Sequence, residues 1–486
     1  MSRPLVLIHG YSAEGLDFSN LCQELKARNI SAKYINVCNY ISLNNEITIK
    51  DIAEGFERAL SYQNGLSNEE PFDAIVHSTG MLVLRSWLTN YAAGTESNDR
   101  LKRVKHIIGL APATWGSPQA HKGRTWLGAL VKGNKQPGPD FLNAGDRVLE
   151  GLELGSQFTW DLAHADLLGP APYYDKGPNT PYVSIFIGNQ PYDGLASVAN
   201  DPGTDGTVRW AGCSLNARKV ILDLTRAAMG PDGPRKRASI TPWADDRLDV
   251  PMIAVAGRNH GTLVSDPPED MLDLIVDFLK VGDEETYDDW LALARQYRKQ
   301  NIGPMLVNPG RAAAGLSADF KKFFGHLSNG DENGELEGWQ QFVVHARDER
   351  SDGISDYMIE VLISQGDQWV PFEQLYTDVH AYGPDSSYRC FHIRLPAGFS
   401  TSNLRLKARI NASTGTDLMA YQGYSNVNGG QQKLKADAEP VEIEISDLGN
   451  GNGSLFYPFT TTLIEIILNR EPVPLDKISR LLTFLP

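Results

Sequence analysis

Residues 72–84 read "FDAIVHSTGMLVL". An apolar run climbs to Val76, breaks at His77-Ser78-Thr79-Gly80 and resumes as a helical pattern through "GMLVLRSWLTNYAAG" (80–94). Strand and helix crowd each other at so short a turn, so small residues are needed two before and two after the one at its apex. Ser78 at that apex has two readings. It caps the following helix, or it is a nucleophile. A nucleophile requires a base, an acid and oxyanion donors elsewhere in the chain. The strict pattern G-x-S-x-G occurs nowhere in the chain, and Val76-His77-Ser78-Thr79-Gly80 is its nearest match. Gly80 fills the second small position; Val76 departs from the first.

The surrounding 282 residues alternate short apolar runs with helical periodicity. "LVLIHG" (5–10), "SAKYINV" (31–37), "FDAIVHS" (72–78), "VKHIIGLAP" (104–112), "YVSIFIG" (182–188) and "VPMIAVAG" (250–257) read as strands. "FSNLCQELKARN" (18–29), "TIKDIAEGFERALSYQ" (48–63) and "PPEDMLDLIVDFLK" (267–280) read as helices, the last with proline and acids in its first turn. Such alternation predicts a mostly parallel sheet with helices on both faces. Two stretches interrupt it: an insertion over 113–181, rich in Trp and Leu, and a polar loop over 225–249 containing "GPRKR". One more amphipathic helix, "EETYDDWLALARQYRKQ", opens a helical linker over 283–330. Beyond a Gly/Asn/Asp-rich stretch, "SNGDENGELEG" (328–338), come alternating segments such as "WQQFVVHARD", "YRCFHIRLPAG" and "TTLIEIILNREP". Strands at such intervals predict a β-sandwich over 331–486.

Composition sets outer bounds. The chain has 486 residues, 41% hydrophobic and 22% charged, with a formal charge of −15. Length implies more than one domain, and an acidic surface disfavours nucleic acid as a partner. Cys22, Cys38, Cys213 and Cys390 have no C-x-x-C spacing and read as buried thiols. No apolar run is long enough to span a membrane. The start, "MSRPLVLIHG", has no basic n-region or cleavage site. It reads as that of a cytoplasmic protein, or of a secreted one whose leader has been removed. Oligomeric state is not legible.

The first strand ends in "LVLIHGYS" (5–12), with His9-Gly10 at its tip. With the turn at Ser78, this resembles the α/β-hydrolase superfamily, in particular bacterial lipases and esterases. The resemblance covers about 1–282, with the 113–181 insertion standing where such proteins carry a cap or lid. It implies that the oxyanion donors are the backbone amides of Tyr11 and Thr79. It also implies the chain order Ser, then Asp or Glu after the fifth strand, then His after the sixth. "NDPGTDGTVRWAG" (200–212) follows the fifth strand and puts the acid at Asp205, with Asp193 and Asp201 as competitors. "GRNHGTLVSD" (257–266) follows the sixth and offers His260. Of ten histidines, only His260 lies after Asp205 and within the α/β portion.

The expected chemistry is ester hydrolysis by Ser78, His260 and Asp205. Acyl transfer to another acceptor, thioester or amide hydrolysis, or hydrolysis of phospholipid or polyester would use the same three residues. An inactive binding scaffold is disfavoured because all three positions are filled. Large apolar groups in the insertion, among them Trp115, Trp126 and Leu127, are candidates for an acyl-binding wall, which favours lipid or other hydrophobic esters. No cofactor is called for. His121, Asp161, His164 and Asp166 lack distinctive metal spacing, so no metal is expected. The sandwich is expected to bind a lipid or polymer surface, pack beside the active site, or mediate oligomerisation.

Overall fold

Four-residue runs without a polar break, such as Leu5–Ile8, belong in the middle of a sheet covered on both sides. In the computed structural model they lie there, fully buried. The structure describes residues 3–9, 18–30, 32–35, 46–62, 66, 71–89, 97–121, 145–169, 173–174, 177, 179–192, 201–241, 250–296, 302–305, 338–372, 376–395, 405–425, 432–445 and 455–472.

The first half runs β1 (Leu5–Ile8), α1 (Ser19–Ala27), β2 (Ala32–Ile35), α2 (Ile49–Tyr62), β3 (Phe72–His77), α3 (Gly80–Thr89), α4 (Ser97–Arg103), β4 (Val104–Leu110), α5 (Asp146–Leu152), α6 (Gln157–Asp166) and β5 (Tyr182–Gly188). It continues through α7 (Trp210–Cys213), β6 (Ala217–Asp223), a small hairpin of β7 (Met229–Gly230) and β8 (Gly233–Pro234), then β9 (Ala238–Thr241) and β10 (Met252–Val255). It closes with α8 (Thr262–Ser265), α9 (Glu269–Phe278), α10 (Glu284–Gln296) and β11 (Ile302–Met305). Among the described residues the first sheet has the order β11-β10-β5-β4-β3-β1-β2. All its pairings are parallel except β10 with β11. Alternate side chains of β1 point to opposite faces. Val6 and Ile8 join a core with α2 and α3, while Leu5 and Leu7 join one with α1, α9 and α10. No helix among the described residues is long and apolar enough to cross a membrane.

The second half comprises β12 (Gly338–Asp348), β13 (Tyr357–Gln365), β14 (Gln368–Pro371), β15 (Tyr376–Ala381), β16 (Tyr388–Leu395), β17 (Leu406–Ala412), β18 (Met419–Ser425), β19 (Gln432–Lys435), β20 (Val441–Glu444) and β21 (Thr461–Pro472). β14-β13-β17-β20 form one antiparallel sheet, and β15-β16-β12-β21-β18-β19 run through the other. Phe342, Val344, Ile466 and Leu468 face the small sheet across a shared core. Trp339, Val343, Cys390 and Leu463 point the other way and join the core of α2, α3 and the insertion. The large sheet is therefore wedged between the small sheet and the first half.

Two segments depart from the expected division. β6 pairs parallel with β21 over Ala217–Asp223 and carries β9 on its other edge. Residues 217–241, read as part of the first domain and its polar loop, thus supply strands to the second. The inward residues of β6, Val220 and Leu222, are apolar and need a partner sheet. The first sheet already holds β10 beside β5, so β6 pairs with the second instead. β11, within the stretch read as a helical linker, adds an antiparallel edge strand to the first sheet.

Candidate active site

Ser78 follows the last residue of β3 and adopts φ +53°. The left-handed region costs a residue with a Cβ roughly 1 kcal/mol, and it persists only where surroundings over-determine it. Here the Ser78 N–H donates to Leu110 O at 3.3 Å, and its carbonyl accepts from Ala113 N at 2.9 Å. Gly80 explains its own identity: a Cβ there would lie 2.4 Å from Ile8 O. The chain thus passes directly under the end of β1 as it enters α3. Val76 is fully buried and lies opposite Gly109 of β4. The space beside Gly109 is taken by Met81 and Pro112. Among the described residues no carbonyl accepts the Thr79 N–H, which stands at the N-terminus of α3. Such an amide suits a developing oxyanion, and the helix end adds favourable potential.

His260 and Asp205 meet in the manner a relay needs. His260 Nδ1 lies 2.9 Å from Asp205 Oδ2, and the His260 N–H donates to Asp205 O at 3.0 Å. The other carboxylate oxygen, Oδ1, accepts from Thr207 N at 3.0 Å and Val208 N at 2.8 Å. Both residues are buried. Three amide or imidazole donors on one carboxylate fix its plane, so the imidazole can hold only one orientation. His260 packs on the residue before the serine: the His77 and His260 rings are 4.6 Å apart. His77 Nε2 donates to His260 O at 3.0 Å, and its Nδ1 is buried without a hydrogen-bond partner. Burial first, then the nearby His260 and His9, hold His77 neutral, well below the ordinary imidazole range. A neutral His77 adds no charge beside the His260 ring.

The loop that carries Asp205 is pressed against the sandwich. Gly203 has φ +72°, and a Cβ there would lie 2.6 Å from Trp339. Trp339 stacks on His392 at 4.4 Å. Arg209 Nη2 donates to Asp378 of β15 at 2.6 Å, and Nη1 lies 3.4 Å from Cys390 Sγ. From the first half, Ser117 Oγ donates to Thr207 O at 2.6 Å, and the Trp210 indole donates to Gly188 O at 3.0 Å. No sequence pattern signalled Trp339, Arg209 or Ser117, whose partners are far away in the chain.

The remaining expectations are placed as follows. Tyr11, Trp126, Leu127, Asp193 and Cys38 lie outside the described residues. Asp201 is half-buried, and its carbonyl accepts from Thr204 Oγ1 at 2.6 Å. The Trp115 ring is fully buried, with the indole donating to Ser214 O at 2.8 Å and Arg85 5.8 Å above it. Asp166 is held by Arg85 through paired bonds of 2.7 and 2.8 Å, and also accepts from Tyr174. His164 lies against Trp160 O and Lys219 Nζ. The candidates for a metal within the insertion are thus dispersed, apart from His121. Trp160 packs on His345 and Tyr388 of the sandwich. A cleft of about 470 Å³ opens over Ser86, Thr89 and Phe158; Ser78 does not line it.

No protein-family model matches the chain, and no curated protein matches it. Among solved structures, phospholipase PlaB from Legionella pneumophila superposes with a TM-score of 0.68 at 19% identity, covering 99% of this chain and 97% of that one. Its complex with thio-NAD gives 0.66 over the same shares. The mature form of Bacillus licheniformis lipase BlEst2 reaches 0.35 at 14% identity, with 58% of this chain and 93% of that one covered. The shared architecture with PlaB spans both halves, and the chain has the α/β-hydrolase fold with an appended β-sandwich.

Proposed function

We propose that this chain is a serine hydrolase that cleaves carboxylic esters of lipid substrates through an acyl-enzyme on Ser78. One observation carries the reading. A serine held at positive φ on a strand-to-helix turn is preceded by His77, whose ring packs on His260, and His260 Nδ1 is engaged by a buried carboxylate.

In the first half-reaction His260 Nε2 takes the Ser78 proton as Oγ bonds to the ester carbonyl carbon. The resulting oxyanion is taken by the amides of Thr79 and, as the resemblance implies, Tyr11. Collapse breaks the ester C–O bond, and His260 returns the proton to the departing alcohol. Water then repeats the sequence on the acyl-enzyme, releasing the acid and restoring the Ser78 hydroxyl. Asp205 holds the tautomer and stabilises the imidazolium while staying ionised.

Two features bear on substrate. The insertion is rich in apolar residues, which suits acyl chains. The neighbour that matches both halves is a phospholipase, so phospholipid acyl esters are the first lipids to try. Ser78→Ala is expected to remove turnover of p-nitrophenyl esters in a folded protein, and substantial retained turnover would refute the assignment. A chain-length series extended to phospholipid vesicles then sets the substrate class; activity confined to acetyl esters would refute a lipid substrate.

A further inference from the structure

Away from Ser78, three side chains from distant parts of the chain converge. His121 lies on the helical segment that begins at residue 118, Glu153 follows α5, and His380 is on β15. One oxygen of Glu153, Oε1, lies 2.9 Å from His380 Nε2 and 3.4 Å from His121 Nδ1. The same oxygen accepts the Gly383 N–H at 2.8 Å. The two imidazoles meet edge to face at 4.9 Å, and the ligand atoms of all three residues fall within 4.8 Å of one another. The Glu153 side chain is fully buried, while that of His121 is 45% exposed, so the cluster has a solvent side.

A buried carboxylate is retained only with strong partners. Two imidazoles and a carboxylate, aimed inward within reach of one another, form the nitrogen-and-oxygen set that zinc takes at about 2.0–2.2 Å per ligand. Calcium and magnesium require oxygen ligands throughout, which this cluster does not offer. The Gly383 N–H on Oε1 is the kind of outer hydrogen bond that orients a ligating carboxylate.

We propose that His121, Glu153 and His380 bind one divalent transition-metal ion, with zinc the best match, and that this ion clamps the base of the 113–181 insertion to the sandwich. The first two ligands bracket residues 122–152 of the insertion in sequence; the third belongs to the other half of the molecule. The clamp also borders the acid loop. Ser117 forms a β-bridge with Glu153, and its hydroxyl donates to Thr207 O, whose own N–H donates to Asp205.

The test uses the full-length, tag-free chain, stripped with chelator and dialysed against zinc chloride. The expected result is one zinc per chain by elemental analysis and a rise in melting temperature of roughly 3 °C at a hundredfold excess over Kd. Calcium chloride should leave the melting temperature unchanged. Cobalt(II) should give the intense visible absorption of a four-coordinate nitrogen–oxygen site. His121→Ala, at the exposed ligand, and His380→Ala should each weaken zinc by about 100-fold or more, beyond the loss of an outer partner. His164→Ala, outside the cluster, should bind as the parent does. Less than a tenth of an equivalent at micromolar free zinc would overturn the proposal. So would equal binding by the parent and the His121→Ala/His380→Ala double variant. These readouts do not involve turnover, so they stand or fall apart from the hydrolase reading.

Discussion

The turn at Ser78 and the loop at Asp205 solve the same problem in different ways. The turn is held from within the first sheet: Leu110 and Ala113 bond Ser78, Ile8 forbids a side chain at residue 80, and Gly109 leaves room for Met81 and Pro112. The acid loop is held from both halves: Ser117 Oγ donates to Thr207 O and the Trp210 indole to Gly188 O within the first, while the sandwich presses on it from outside. Trp339 fills the space that a Gly203 side chain would need, and Arg209 reaches across to Asp378. The lesson is that one member of the candidate triad, Asp205, sits on a loop that leans on the sandwich. The second half of the molecule thus buttresses the candidate site.

Removing the sandwich breaks the comparison most severely. A chain ending at residue 330 would strip β6 of β21 and the acid loop of Trp339. The expected outcome is complete loss of soluble, active enzyme, measured by ester turnover of the purified fraction. Normal turnover by such a fragment would show the acid loop to be self-supporting. Asp205→Asn comes next. It keeps the shape but frees His260 to take the wrong tautomer, so kcat on a soluble ester should fall about 10⁴-fold. Trp339→Ala tests the buttress itself. It should destabilise the protein by about 3–5 kcal/mol in urea unfolding. By loosening the loop it should also lower kcat on the order of 100-fold. Val76→Gly sharpens the other side by completing the small-residue pattern. Because Val76 is fully buried, the change should cost about 3 kcal/mol of stability and leave kcat unimproved.

The smallest effect concerns acid. His77 and His392 are held well below the ordinary imidazole range, and His345 is lowered to about 4, each chiefly by burial. The unfolded chain takes up protons on these rings near pH 6.5, whereas the folded chain resists until lower pH. Stability is therefore full above pH 6.5 and falls as pH drops toward 4. His345 stacks on Tyr388 at 4.0 Å. His345→Phe keeps a ring there and should remove about 1–2 kcal/mol of that fall, allowing for partial exposure. An unchanged slope would assign the acid sensitivity elsewhere.

The same contrast governs what could be read in advance. Strands β1, β3, β4, β5 and β10 of the first sheet are almost wholly buried, so each announces itself as a mostly apolar run. The turn at Ser78 is legible because strand, serine and helix are contiguous. Asp205 and His260 come forward as candidates because the resemblance assigns the acid and the histidine to the loops after the fifth and sixth strands, and the structure brings these two residues together. The sandwich strands follow from their alternation, but the partners of β6 do not. "ARKVILD", with two basic residues near its start, is missing from the strands read in the sequence, and its partner β21 lies more than two hundred residues later. The acid loop's buttress is hidden for the same reason. Trp339 looks like one more sandwich aromatic until Gly203 is seen beneath it. The cluster of His121, Glu153 and His380 also escapes the sequence, since Glu153 and His380 are separated by 227 positions and no spacing rule spans two domains. The role of Trp115 is not legible for a different reason: a large apolar residue in an insertion looks the same in sequence whether it lines a pocket or fills a core.

The central claim is that Ser78 is a nucleophile activated by His260 and Asp205. Labelling with a fluorophosphonate probe, followed by peptide mapping, tests it most directly. The account predicts a single modified serine, Ser78, with labelling abolished in Ser78→Ala and strongly slowed in His260→Ala. Failure of the folded parent to label, or a label mapped to any other residue, would contradict it.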